Sequence, residues 1–495
     1  MSTEAERTGA RPRVDWKRLF FIFLGVAAFA AIHFSPPWPD AIDPLGQHFA
    51  LSREGKGALA VFMLAGIWWV FEVVPIGVTS LAIGILQALF LIRPAKTAFH
   101  DFMDTSVMFI FASIVVGAVF TKTGLTRRMA FRMLMVVGDR TSAILLGCFV
   151  VTAALTHFMA HTAVAATIYP LLLAINGLYG EEDRPTRFGK SLFMGMAYVA
   201  GAGSVITLLG AARGPVAISF FKNITGREIT FFELSWFMFP IGWLMVFALW
   251  GFFMVFLRPE KKIIPGLRDR ARELNARLGP ITRAEVIAAV IVLSMILIMA
   301  LRSFLPPLQN LDKTAVILVS TVLFFLLGIL DINDLEDVPW NIILLFGGAM
   351  SIGLCLYETE AARWLAINWL TMFKDAHWLI FVTGMAFFVL VMTNFIMNVA
   401  AIAISLPVAL VMAPYLGVAP EVVFFASLLM AGMPFVLLVG AAPNAIAYNS
   451  NQFTSGEFFK YGVCASLILL VVLVVAVLII WPLLGMPITL EGGAA

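Results

Sequence analysis

Apolar stretches of about twenty residues recur along this chain, and that recurrence limits its fold more than any motif does. They fall near residues 19–34, 57–74, 77–92, 106–121, 191–221, 236–257, 286–305, 313–330, 340–357, 421–449 and 461–485, with two longer ones at 141–175 and 378–414. A helix needs roughly 20 residues to cross the hydrocarbon of a bilayer, and lipid tolerates only backbone that satisfies its own hydrogen bonds. At 495 residues, 61% hydrophobic and 13% charged, the chain carries more apolar surface than a soluble core would hide, since soluble domains carry about a quarter charged residues. The expected fold is an all-α polytopic membrane protein. A net charge of +3 is too small to suggest a nucleic-acid partner.

Basic residues place the loops, because cytosolic loops collect Lys and Arg. The segment 258–285 holds Arg258, Lys261, Lys262, Arg268, Arg270, Arg272, Arg277 and Arg283 against four acids. Lys122, Arg127, Arg128, Arg132 and Arg140 precede 141–175, and Arg184, Arg187 and Lys190 follow it. Both flanks are therefore expected on the cytosolic side, so 141–175 enters and leaves on one side as a re-entrant hairpin. Each limb of about 17 residues rises roughly 25 Å, deep enough to reach mid-membrane. The same reasoning makes 378–414 a second hairpin from the opposite face. The count becomes about eleven transmembrane helices plus two re-entrant hairpins, with the N-terminus inside and the C-terminus outside a cytoplasmic membrane. Residues 1–56 form the N-terminal tail and first helix, an uncleaved helix and not a signal peptide. Residues 57–257 and 286–485 form two repeats, 258–285 a basic cytosolic linker, and 486–495 a C-terminal tail. Glu72, beside Trp68, Trp69 and Pro75, reads as an interfacial anchor. Cys148, Cys355 and Cys464 lie far apart in apolar segments and suggest neither a metal site nor a disulfide.

The two hairpins resemble each other. Residues 156–170 read THFMAHTAVAATIYP and residues 393–407 read TNFIMNVAAIAISLP, with five of fifteen positions identical. His157 aligns with Asn394 and His161 with Asn398. A second match follows each hairpin: LLGAARG at 208–214 and LVGAAPN at 438–444, each a Gly-rich break inside a long apolar segment. A weaker echo links 111–124 with 346–359. Opposite entry sides make this an inverted repeat with broken helices, the architecture of alternating-access carriers. Half-helix N-termini at such breaks favour anions.

WWVFEVVP (68–75), KTGL (122–125), WNIILLFGG (340–348), the hairpin tips and APNAIA (442–447) carry a resemblance, from about Lys56 to Leu484, to the divalent anion/sodium symporter family of dicarboxylate, citrate and sulfate carriers. The resemblance implies a homodimer in the bilayer with a scaffold domain, a moving transport domain and no cofactor beyond a coupling sodium ion or proton. It implies substrate contacts from Ala160, His161, Thr162, Ala211, Ala212, Arg213, Met397, Asn398, Val399, Ala441, Ala442 and Asn444. Ion coupling would fall to Thr156, His161, Gly210, Thr393, Asn398 and Gly440, with sodium at Thr393, Asn398 and the carbonyl of Gly440. The chain departs from the family's Ser-Asn-Thr tips, reading Ala160-His161-Thr162 and Met397-Asn398-Val399, and its first break reads Ala211-Ala212-Arg213-Gly214. Imidazole is a poor ligand for a hard cation, so one sodium site is expected to be lost. His161, which titrates near neutral pH when unperturbed, and Arg213 would supply the positive charge a dianion needs at mid-membrane.

The expected function is secondary active transport of a small organic anion, a dicarboxylate first, by proton coupling or exchange with weakened sodium dependence. The alternatives are a sodium-coupled symporter of sulfate, citrate or an organosulfonate, and, from other classes, a non-transporting membrane subunit or a membrane enzyme. The chain carries no G-x-S-x-G or H-E-x-x-H motif and no intramembrane Asp/Glu pair, which speaks against an enzyme. A channel would need a lined pore instead of one compact polar centre.

Overall fold

The structure, a computed structural model, describes residues 16–42, 48–71, 73–179, 184–302, 304–373, 377–395 and 397–490. Glu72 and the basic residues Arg7, Arg11 and Arg13 lie outside the described residues. The described chain is mostly helical, as its hydropathy predicts; among the described residues β structure is confined to one antiparallel pair of two-residue strands, β1 (Ala41–Ile42) and β2 (His48–Phe49), and two isolated bridges, Arg140 with Ile263 and Val418 with Thr489.

Among the described residues, nine helices are long and apolar enough to cross a membrane by length and composition. Four more apolar helices are shorter: Ile76–Leu89, Thr141–Leu155, Lys313–Leu326 and Pro420–Ala431. The helix Arg283–Leu301 illustrates how these elements are solvated. Ala288, Val292, Met295 and Met299 are buried against the core, whereas Val290, Leu293 and Leu297 on the other face are more than half exposed. A helix apolar all round requires apolar surroundings on its outer face too.

Eight helices around the repeats position the centre of the molecule. In the first half they are α1 (Thr141–Leu155), α2 (His161–Tyr179), α3 (Arg187–Gly203) and α4 (Arg213–Thr225). In the second they are α5 (Trp378–Phe395), α6 (Asn398–Met412), α7 (Pro420–Ala431) and α8 (Ala442–Tyr448). The long apolar runs at 191–221 and 421–449 are thus each divided in two, where the Gly-rich segments were expected to interrupt them. Three of the four hairpin limbs are longer than the 17 residues expected: α2 has 19, α5 has 18, and α6 with its final turn reaches Leu416, giving 19. Pro170 in α2 and Pro407 in α6 occupy equivalent repeat positions inside their helices, where proline removes a backbone hydrogen bond and kinks the chain.

Segment 258–285 contains the helix Leu267–Arg277, which the basic composition alone did not suggest. Its leading residues touch both ends of the α1–α2 pair. Thr141 donates its N–H to Lys262 O at 3.0 Å, and Ile264 donates to Asp139 O at 2.9 Å. At the other end, the Tyr179 hydroxyl reaches Glu260 at 3.0 Å and Lys261 Nζ reaches Tyr179 O at 2.7 Å. The start of α1 and the end of α2 therefore lie against one five-residue stretch.

The far end of the segment is fixed by charge. Arg128, on the amphipathic helix Leu125–Val137, bonds both oxygens of Glu285 at 2.8 and 3.1 Å and the carbonyls of Gly279 and Pro280. Glu285 also closes a capping box with Thr282 at the start of Arg283–Leu301. Removing the Thr282 hydroxyl leaves an orphan N–H, so Thr282→Ala is expected to lower stability by about 1 kcal/mol, read as a lower melting temperature with transport rate unchanged.

Candidate functional site

Each half brings its hairpin tip against its own helix break, and glycine makes both contacts possible. In the first half, Thr156 ends α1 and His161 begins α2. His161 donates its backbone N–H to Gly210 O at 3.0 Å, and its ring Nδ1 sits 3.1 Å from the same oxygen. A carbonyl only accepts, so Nδ1 carries the proton and Nε2 remains for another partner. A Cβ on Gly210 would fall 2.6 Å from Ser204 O and 2.7 Å from Thr156 O. Thr207 bonds His157 O at 3.0 Å, closing the tip from the other side.

The second half repeats this design with different atoms. A Cβ on Gly440 would lie 3.1 Å from Thr393 O and 2.6 Å from Pro434 Cβ. Thr393 Oγ1 is 3.0 Å from both Asn398 Oδ1 and Ala431 O. A hydroxyl has one proton for these two acceptors; turning the Asn398 amide lets its nitrogen donate to Thr393, whose hydroxyl then donates to Ala431. Asn394 accepts from the N–H groups of Val436 and Leu437 at 2.8 and 3.2 Å, and Asn444 donates to Pro434 O and Leu437 O. The irregular backbone of this break is thus satisfied by two amides, as unwound segments in apolar surroundings require.

The halves also interlock. α2 packs on α8, and α6 packs on α4, so each second hairpin limb meets the post-break helix of the other half. Where α3 and α7 end, a Cβ on Gly201 would sit 2.8 Å from Gly432 O. The two breaks are therefore neighbours at the centre.

Of the residues singled out from sequence, Thr156, Gly210 and His161 come together in one tip, and Thr393, Asn398 and Gly440 in the other. Ala160, Thr162, Ala212, Met397 and Ala441 are half-buried beside them, Ala211 and Val399 are buried, and Ala442 is exposed. Arg213 is 1% exposed and does not run along the tip: its Nη2 bonds Ser204 Oγ at 2.8 Å and packs on Gly432. Ser204, Gly432, Gly201 and Asn394 also take part, although the sequence does not single them out as site residues. Asn394 was signalled by its alignment with His157; nothing in the local sequence marked the other three.

α4 and α6 begin without side-chain caps, at Ala212 and Met397. Their first N–H groups carry partial positive charge and suit a carboxylate or sulfate. Thr393, Asn398 and the loop carbonyls offer oxygens of the kind a hard cation takes. Among the described residues no group of three or more His, Cys, Asp or Glu side chains stands ready for a metal ion.

Comparison with known proteins agrees with this architecture. The family model described as the sodium:sulfate symporter transmembrane region matches residues 17–487. The sodium-dependent dicarboxylate transporter SdcS of Staphylococcus saprophyticus is 25% identical over 462 residues, covering 89% of each chain. SdcS of Staphylococcus aureus is 25% identical over 458 residues, covering 88% of this chain and 87% of its own. Two solved structures share the fold at low identity. Neisseria gonorrhoeae MtrF aligns with a TM-score of 0.58 and 12% identity over 97% of this chain and 96% of its own. The Alcanivorax borkumensis YdaH transporter aligns at 0.55 and 14%, over 95% of this chain and 98% of its own.

Proposed function

The chain belongs to the sodium:sulfate symporter family, and on that premise we propose that it is a secondary carrier of a small organic dianion, a dicarboxylate first, working by alternating access. The family and the relatives are transporters and not enzymes. In this reading the carrier couples to protons or to exchange, with reduced dependence on sodium. It sits in the cell membrane as a homodimer, N-terminus inside and C-terminus outside.

The observation that carries the reading is the mirrored contact of Thr156 with Gly210 and of Thr393 with Gly440. Two tip-to-break junctions, built alike in two interlocked halves, are what an inverted-repeat carrier needs to expose one site alternately. Re-entrant hairpins fit the same picture, because the start of α1 and the end of α2 share one anchoring stretch at Glu260–Ile264. The substrate would lie between the tips, against Thr162, Asn398 and the uncapped N-termini of α4 and α6. His161 keeps Nε2 free for a proton that an incoming carboxylate would stabilise, while Arg213 holds a fixed positive charge nearby.

Sodium-coupled symport is the second reading, favoured by the names of the SdcS relatives and by the oxygens retained at Thr393 and Asn398. The two readings part at His161, the position equivalent to Asn398. Liposome uptake of labelled succinate should persist when sodium is replaced by choline. His161→Asn, which restores an amide oxygen, should raise the stimulation by sodium about fivefold or more, the lower end of ordinary coupling energies. Strict sodium dependence, unaltered by that substitution, would overturn the weakened-sodium reading.

A further inference from the structure

Arg213 lies at an unusual electrostatic address. α3 ends at Gly203 with Ser204 as its cap, and α7 ends at Ala431 with Gly432 as its cap. The two ends meet, since Gly201 approaches the Gly432 carbonyl so closely that a Cβ would be 2.8 Å from it. A helix C-terminus carries about half a negative charge, so two of them together present roughly one unit to whatever lies between. The Arg213 guanidinium is there. Its Nη2 bonds Ser204 Oγ at 2.8 Å, and a Cβ on Gly432 would be 2.7 Å from the same nitrogen.

The side chain is 1% exposed, and its Nη1 has no hydrogen-bond partner in the protein. A buried cation so incompletely bonded is a poor packing element, because desolvating a charge is costly unless something offsets it. Substrate binding does not explain the placement well either. An anion is favoured at the N-terminal ends of α2, α4 and α6, whereas the guanidinium has been carried away from them to the negative ends of α3 and α7. Such C-terminal ends and unwound carbonyls are where broken-helix carriers hold a coupling cation.

We propose that Arg213 is a resident cation, a tethered positive charge that takes the electrostatic place of one co-transported ion between the ends of α3 and α7. This rests on the carrier reading above and deepens it by assigning the coupling. One unit of charge that a symporter must load and release at each cycle is here covalently fixed. The unloaded carrier then remains positively charged at its centre, which favours return with another anion and hence exchange.

The test compares wild type, Arg213→Lys and Arg213→Ala in detergent without substrate, by melting temperature in sodium chloride against choline chloride. Wild type and Arg213→Lys should respond equally to sodium. Arg213→Ala should gain an additional stabilisation by sodium of about 3 °C or more, and should require sodium to remain monodisperse if it is unstable in choline. Gly432→Ala, which crowds the guanidinium without deleting it, gives a second route: it should also enlarge the response to sodium. An Arg213→Ala protein with the wild-type sodium response, or one unfolded in both salts, would overturn the proposal. Succinate counterflow by the wild type is measured in parallel. Its absence would remove the carrier reading, while the sodium comparison would still decide whether Arg213 stands in for a cation.

Discussion

Gly210→Ala is expected to abolish transport while leaving a protein that still inserts and purifies. Three backbone atoms enclose the site a Cβ would occupy: Ser204 O at 2.6 Å, Ser204 Cα at 2.7 Å and Thr156 O at 2.7 Å. None is the end of a flexible side chain, so the break itself must move. That movement breaks the bond from His161 N to Gly210 O and withdraws the carbonyl that faces the imidazole. Displacing a positioning group by about 1 Å costs on the order of 100-fold in comparable sites, and here tip and break shift together. Gly117→Ala is the control on a neighbouring helix, where the nearest atom would be 3.7 Å away. Uptake by Gly210→Ala within a fewfold of wild type would mean that the first tip-to-break junction has no part in transport.

Asn398→Ala should weaken substrate binding about 30-fold, corresponding to about 2 kcal/mol, the middle of the range for leaving a buried polar partner unsatisfied. Asn398 is buried at the start of α6, and its side chain is tied to Thr393, which in turn bonds the carbonyl of Ala431, the last residue of α7. Losing the amide leaves the buried Thr393 oxygen without its donor, its own proton still going to Ala431 O, and loosens the uncapped helix start that the proposed substrate faces. Combining the change with Thr393→Val should cost little more than Asn398→Ala alone, because residues in one network are not additive. Ser405→Ala, further along α6, removes a hydroxyl that bonds only within its own helix, to Ala401 O, and should leave affinity within a fewfold. Equal affinity for Asn398→Ala and wild type, measured by succinate-dependent melting shifts, would exclude the second tip from the binding site.

Much of this organisation was legible in the residues. The pairing of Thr156 with Thr393 and of Gly210 with Gly440, read from two short matches, coincides with two junctions of the same construction. Pro170 and Pro407 follow the same register. The breaks at 204–212 and 432–441 overlap the Gly-rich matches at 208–214 and 438–444 that interrupt long apolar segments, but begin several residues earlier than those matches. Other features were not legible. The helix Leu267–Arg277 lies within a segment whose charge density speaks only for a loop, and dividing the apolar stretches 141–175 and 378–414 into two limbs each does not reveal that α2 continues to Tyr179 and α6, with its final turn, to Leu416. Arg213 was recognised as a charge at the break, but its chemistry alone pointed toward the substrate.

Hydropathy and the repeat decided by themselves that this chain lives in a bilayer as helices and that two places in it cannot be regular helix. Both follow from local physics: apolar side chains leave water, and peptide groups in lipid must find partners within reach. The tertiary structure alone decided that α4 meets α6, that α3 and α7 end side by side at Gly201 and Gly432, and that Arg213 turns to lie between those ends. These are contacts between residues far apart along the chain, set by packing of whole helices against one another. The direction a single long side chain takes depends on the field those helices create once assembled.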